Sequence, residues 1–233
     1  MKLVAVALLA ALAGVSGTSR ATVLAASSLS EVFPRIDATA RYSFAGSDQL
    51  AFQIRQGAPA DVFAAASPKY PGELYADRLV ERPRVFATNE LVLIAPRANP
   101  ARIRSVEDLR RDGIKLVIGE RGVPIGDYTR VVLTKLGLQD ALANVVSEET
   151  DVKQIVGKIA LGEADAGFVY ATDVRPVRSK VLTIRIPDAG QPRVQYEIAV
   201  VKRGNVARGR AFVARVLGKT GRTRLAAAGF GLP

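Results

Sequence analysis

Short apolar runs alternate along this chain with segments whose apolar residues recur every three or four positions. The runs at residues 22–26, 41–44, 61–66, 91–95, 116–118, 166–170, 181–186 and 195–201 have the length and content of buried strands. Between them, residues 47–56 place Leu50, Ala51 and Ile54 on one helical face and stop at Gly57. A helix is predicted from Ser105, with Asp108 three residues on in a capping-box-like start, to Gly113. Residues 126–136 carry Tyr128, Val131, Val132 and Leu136 on one face. Residues 152–161 give the clearest helical period, through Val152, Ile155, Val156, Ile159 and Ala160, and Gly162 closes them. A last helix is predicted over 208–217. Alternation of this kind points to an α/β architecture, with parallel or mixed sheets covered by helices. The extended stretches 85–91 and 188–196 are candidate crossings between two lobes.

Composition narrows the chemistry. The 233 residues include no cysteine and no histidine, which excludes disulfides, thiol nucleophiles, Cys/His zinc sites and any Ser-His-Asp triad. The formal charge of +11 raises the question of a polyanion partner. The positive residues are dispersed, however, and their densest stretch, 203–224, has Phe212 as its only aromatic. No nucleic-acid signature accompanies them, so no nucleic-acid partner is expected. At the N-terminus Lys2 precedes an uncharged, mostly apolar run over 3–15, followed by small and polar residues up to Ala21. That is the pattern of a secretory signal cleaved after about Ala21, and the run is too short for a membrane-spanning helix. With no cysteine to carry a lipid anchor, a free exported protein is expected.

Four loops share a feature. Ser27-Ser28-Leu29, Gly46-Ser47-Asp48, Val123-Pro124-Ile125-Gly126 and Thr150-Asp151-Val152 each put small or hydroxyl residues where a helix begins. Such a start carries unpaired N–H groups and about half a positive charge, and it binds anions without a cationic side chain. Most serines at these positions are simple N-caps; several converging starts would make an anion site. Enzyme chemistry finds less support. No GxSxG elbow, phosphate-binding P-loop or GxGxxG fingerprint is present. Of the carboxylate clusters, Glu148-Glu149 reads as a solvated approach to a helix and Glu163/Asp165 as a turn entering a strand. Neither has a partner suited to acid–base work or a metal.

AASSL at 25–29, SFAGSDQLAFQIRQGAPADVF at 43–63, VPIGDYT at 123–129 and GEADAGFVYATD at 162–173 occur in this order. With them the chain resembles the periplasmic molybdate-binding proteins of ABC transporters over essentially its whole length after the leader. The resemblance implies a type II periplasmic-binding-protein fold, with two α/β lobes, a mixed sheet in each, and a two-crossing hinge. Lobe 1 would combine 22–86 with 190–233, lobe 2 would be 87–189, and 1–21 would be the signal peptide. It also implies a non-enzymatic, monomeric protein without a cofactor. Molybdate, and tungstate with it, would be held between the lobes and passed to a membrane permease driven by a cytoplasmic ATPase. Carried over by motif, Ser28 and Ser47 would donate through hydroxyl and backbone N–H, Ile125 and Val152 through backbone N–H, and Tyr170 through its phenol. The metal would be bound only as its oxyanion, with no direct metal ligand from the protein. All these donors are neutral, and they suit a fully deprotonated dianion, whereas a phosphate would bring an O–H that finds no acceptor. Sulfate or another tetrahedral oxyanion is the alternative ligand on the same fold. A secreted serine hydrolase and a polyanion-binding protein are the readings from other classes. The chain departs from the family pattern at Ile125, at Asp48 beside Ser47, and in a shortened segment between Ser28 and Ser43 that truncates the first helix.

Overall fold

The computed structural model describes residues 20–233; the leader expected over 1–21 thus lies almost wholly outside the described residues. In chain order the strands and α-helices are β1 (Thr22–Ala26), α1 (Phe33–Ile36), β2 (Arg41–Ala45), α2 (Ser47–Arg55), β3 (Val62–Ala65), α3 (Lys69–Ala76), β4 (Arg84–Asn89) and β5 (Leu91–Pro96). There follow β6 (Leu116–Gly119), α4 (Pro124–Lys135), β7 (Val145–Glu149), α5 (Val152–Leu161), β8 (Ala166–Tyr170), α6 (Ala171–Val174), β9 (Val181–Arg185), β10 (Val194–Val200), α7 (Val206–Leu217) and α8 (Lys219–Ala228).

The strands form two five-stranded mixed sheets, in the orders β2-β1-β3-β10-β4 and β7-β6-β8-β5-β9. In the first, β1 runs parallel to β2 and β3, and β10 is antiparallel to β3 and β4. In the second, β6 runs parallel to β7 and β8, and β5 is antiparallel to β8 and β9. The chain passes from one sheet to the other twice, at Glu90 and over residues 186–193. The central strands β3 and β8 are buried along their whole length, as strands covered by helices on both faces must be. Aromatic contacts among Phe33, Tyr42, Phe86 and Phe212 join α1, β2, β4 and α7 behind the first sheet.

This connectivity decides where a ligand can go. The loops after β1, β2, β3, β6, β7 and β8 leave the carboxyl ends of strands in parallel pairings, and helical turns start there. In open α/β sheets that edge is where ligands bind.

Several local expectations need correction. The helix expected from Ser105 is a single 3-10 turn, Glu107–Arg110. Asp108 caps backward, its carboxylate accepting from the N–H of Arg104 and Ser105, and Gly113 at φ 82° turns the chain away. The inward face of α4 is Ile125, Thr129, Val132 and Leu133, while Val131 is 41% exposed. Glu149 is no solvated approach: it ends β7, is buried, and pairs with Lys158 of α5. The first helix, α1, is only four residues long.

Gly126 shows how tightly the start of α4 is seated. A Cβ there would lie 2.1 Å from the Glu120 carbonyl oxygen and 2.3 Å from that of Gly119. Both are backbone atoms, so the clash can be relieved only by moving the helix off β6. Gly126→Ala should therefore destabilise the protein by about 1–3 kcal/mol. Urea unfolding checks this, and an unchanged midpoint would contradict the packing.

Candidate functional site

A small cavity of about 10 Å³ sits where these strand ends meet. It is lined by the turn after β1, by Gly46 and Ser47, by Ala66, by residues 123–125, by Asp151 and Val152, and by Tyr170. Ser28, Ser47, Ile125, Val152 and Tyr170, far apart in sequence, thus share one buried space. Each is at most 4% exposed.

The donors arise from ordinary chain chemistry. Ser47 is the first residue of α2, whose N-cap is Gly46. Ile125 is the second residue of α4, after Pro124, which has no N–H. Val152 is the first residue of α5. First-turn N–H groups have no acceptor within their helix. At α5 the Asp151 carboxylate accepts from the N–H of Lys153 and Gln154, which leaves Val152 uncapped by it. Neither Ser28 nor Ser47 is a side-chain cap. The Ser47 hydroxyl instead accepts from the Ala66 N–H at 3.1 Å, so its own proton is free to donate. Ser28 Oγ lies 2.9 Å from the Tyr196 hydroxyl.

Tyr170 carries the most informative atom. It ends β8 with its side chain 1% exposed, and its hydroxyl has no hydrogen-bond partner. A buried hydroxyl left unpaired costs about 1–3 kcal/mol, and an incoming acceptor would recover that loss. Burial, with the neighbouring tyrosines adding to it, holds the phenol well above its ordinary pKa, so it is a neutral donor at any physiological pH.

Among the described residues no lysine or arginine lines the cavity, and Asp151 is the only carboxylate there. Immediately behind, Asp173 follows Tyr170 on α6, and its Oδ1 is 3.1 Å from Lys153 Nζ. Among the described residues no group of three or more His, Cys, Asp and Glu side chains is placed to hold a metal ion. Asp48 does not line the cavity. Its half-buried carboxylate lies between the halves, where burial raises its pKa and Asp127 adds to the rise while Lys69 opposes it.

The two halves are joined across the cleft mouth by the Tyr70 hydroxyl donating to the Gly122 carbonyl at 2.7 Å and by a 3.7 Å Lys69–Asp127 ion pair. At the crossing, the Asn89 amide donates to Thr172 Oγ1 at 2.9 Å. Tyr196 and Asn89 did not stand out in the sequence. Their roles depend on contacts up to 168 residues apart, for which no local pattern exists.

Comparison with known proteins agrees with this geometry. The model of the bacterial extracellular solute-binding protein family matches residues 22–231. The chain is 39% identical over 228 residues to the molybdate-binding protein ModA of Mycobacterium tuberculosis, covering 93% of this chain and 86% of that protein. It is 30% identical to the protein of the same name from Escherichia coli, over 73% of this chain and 69% of that one. The periplasmic molybdate-binding protein of Azotobacter vinelandii has the same fold, with a TM-score of 0.78 over 92% of this chain and 100% of that one at 24% identity.

The Asp173–Lys153 pair makes a pH prediction. Desolvation lifts Asp173 to about 6, against a smaller pull from Lys153. A carboxyl whose folded pKa lies above its unfolded value favours the fold while protonated, and that contribution is lost as pH rises from about 4 through 6. Asp173→Asn should therefore gain stability relative to the parent across this window, by about 1–3 kcal/mol. Paired urea titrations at pH 4 and pH 7 measure it, and a difference that shrinks as pH rises would contradict the account.

Proposed function

The chain belongs to the bacterial extracellular solute-binding protein family, and from that premise we propose that it captures molybdate, and tungstate with it, for an ABC transporter. The observation that carries this reading is the unpartnered Tyr170 hydroxyl facing first-turn N–H groups and two serine hydroxyls in one buried, cation-free cavity. Ser28, Ser47, Ile125, Val152 and Tyr170 are the proposed ligand residues. Each offers a neutral donor, and together they would surround a tetrahedral dianion by hydrogen bonds with no direct bond to the metal. Partial charges at three helix starts supply the electrostatic attraction. The shared name of relatives at 39% and 30% identity supports molybdate over sulfate as the physiological ligand.

Ser28 and Ser47 follow strands of the first sheet, whereas Ile125, Val152 and Tyr170 belong to the second. In our reading the lobes are 22–86 with 190–233, and 87–189, and only the closed form presents both donor sets. The anion therefore favours closure by differential affinity. The closed monomer then docks on a membrane permease whose cytoplasmic ATPase drives uptake. The protein works in the periplasm after loss of the leader at 1–21, and it performs no chemistry on its cargo. Among the described residues, no helix is long and apolar enough to cross a membrane.

Isothermal titration with molybdate, tungstate, sulfate and phosphate tests this function. One-to-one binding of the first two, with phosphate silent, is expected. Tyr170→Phe should weaken molybdate binding by about 0.5–3 kcal/mol. Silence with molybdate and tungstate would overturn the proposal, and an unaltered affinity in Tyr170→Phe would remove that residue from the site.

A further inference from the structure

The wall behind Ser28 contains a chain of hydrogen bonds whose direction can be worked out. The Asn89 amide nitrogen, which can only donate, reaches the Tyr196 hydroxyl at 3.5 Å and Thr172 Oγ1 at 2.9 Å. The Asn89 carbonyl is occupied by the Glu90 N–H at 3.0 Å, which fixes which end of the amide faces Tyr196. The Tyr196 oxygen therefore accepts from Asn89, and its single proton needs another acceptor. Ser28 Oγ, at 2.9 Å, is the group in place to accept it. Tyr196 is fully buried, with its ring held edge-on by Phe86, Tyr170 and Phe230. The phenol is thus held in place by packing as well as by hydrogen bonds.

From this we propose that Tyr196, oriented by Asn89, is a specificity-determining positioning residue: it donates to Ser28, occupying one of that oxygen's acceptor sites and leaving the Ser28 proton free to turn toward the anion. This inference rests on the oxyanion reading of the cavity and extends it to the choice among anions. Ser47 is treated in the same way by the backbone, since its oxygen accepts the Ala66 N–H. The third hydroxyl among the proposed ligand groups, on Tyr170, is a phenol, whose oxygen is a poorer acceptor than an aliphatic one. An anion bearing an O–H, such as hydrogen phosphate, then meets hydroxyls turned to donate, while the Asp151 carboxylate in the lining is engaged by the N–H groups of Lys153 and Gln154. Its own proton is left without a partner, and that loss is what discriminates against it.

The variant Tyr196→Phe removes one oxygen and keeps the ring in its packing. It frees Ser28 to rotate and to accept. Titrations of the parent, Tyr196→Phe and Asn89→Ala with molybdate and with inorganic phosphate, at pH 6.5 and pH 8, test the idea, with thermal unfolding to verify that each variant is folded. The expected result is that Tyr196→Phe narrows the molybdate-to-phosphate affinity ratio by about tenfold or more. Phosphate binding should strengthen toward pH 6.5, where phosphate carries more protons. Asn89→Ala should show a smaller change in the same direction. A folded Tyr196→Phe variant with the parental ratio at both pH values would overturn the role of Tyr196 while leaving the oxyanion reading intact. A parent protein that binds no molybdate would sink both.

Discussion

The first turn of a helix leaves N–H groups that no residue of that helix can accept, and the placement of three such turns around one buried point governs the rest of this structure. The parallel pairings of β1 with β2 and β3, and of β6 with β7 and β8, aim their carboxyl ends into the gap between the sheets. Helices α2, α4 and α5 begin there, and Tyr170 arrives from the end of β8. Donors concentrated in this way, away from water, are costly until an acceptor fills the space. In the proposed reading, a tetrahedral dianion would supply acceptors in every direction without a lysine or arginine in the lining.

The surroundings keep this arrangement neutral and directional. Asp151 spends its carboxylate on Lys153 and Gln154, and Asp173 is matched by Lys153. Asp48 stays at the lobe boundary, outside the lining. The halves are bridged by Tyr70 with Gly122, Lys69 with Asp127, Asn89 with Thr172 and Arg175 with the Ala227 carbonyl, and apolar residues of both sheets pack in one cluster.

Much of this was legible in the sequence, for physical reasons. Helix α5 has a clean apolar period, a capping Asp151 and a left-handed Gly162 at φ 77°, so both ends and the buried face could be read directly. Elements whose period is interrupted were missed. Helix α3 contains Pro71 and Gly72, and β7 is a short edge strand bearing charges. The serines could be recognised as lying at anion-competent turns, but not as having hydroxyls turned away from capping, because their partners Ala66 and Tyr196 are distant in sequence. The five candidate residues came from motifs, and their meeting in one cavity depends on the pairing of strands that no local pattern encodes.

The central claim is that the cavity holds an intact tetrahedral oxyanion through neutral donors alone. X-ray absorption at the molybdenum edge on the molybdate-loaded protein examines this most directly. The account predicts the spectrum of free molybdate, four equivalent short metal–oxygen bonds with no protein atom in the inner sphere. An expanded coordination shell with a carboxylate or hydroxyl oxygen bound to the metal would contradict it.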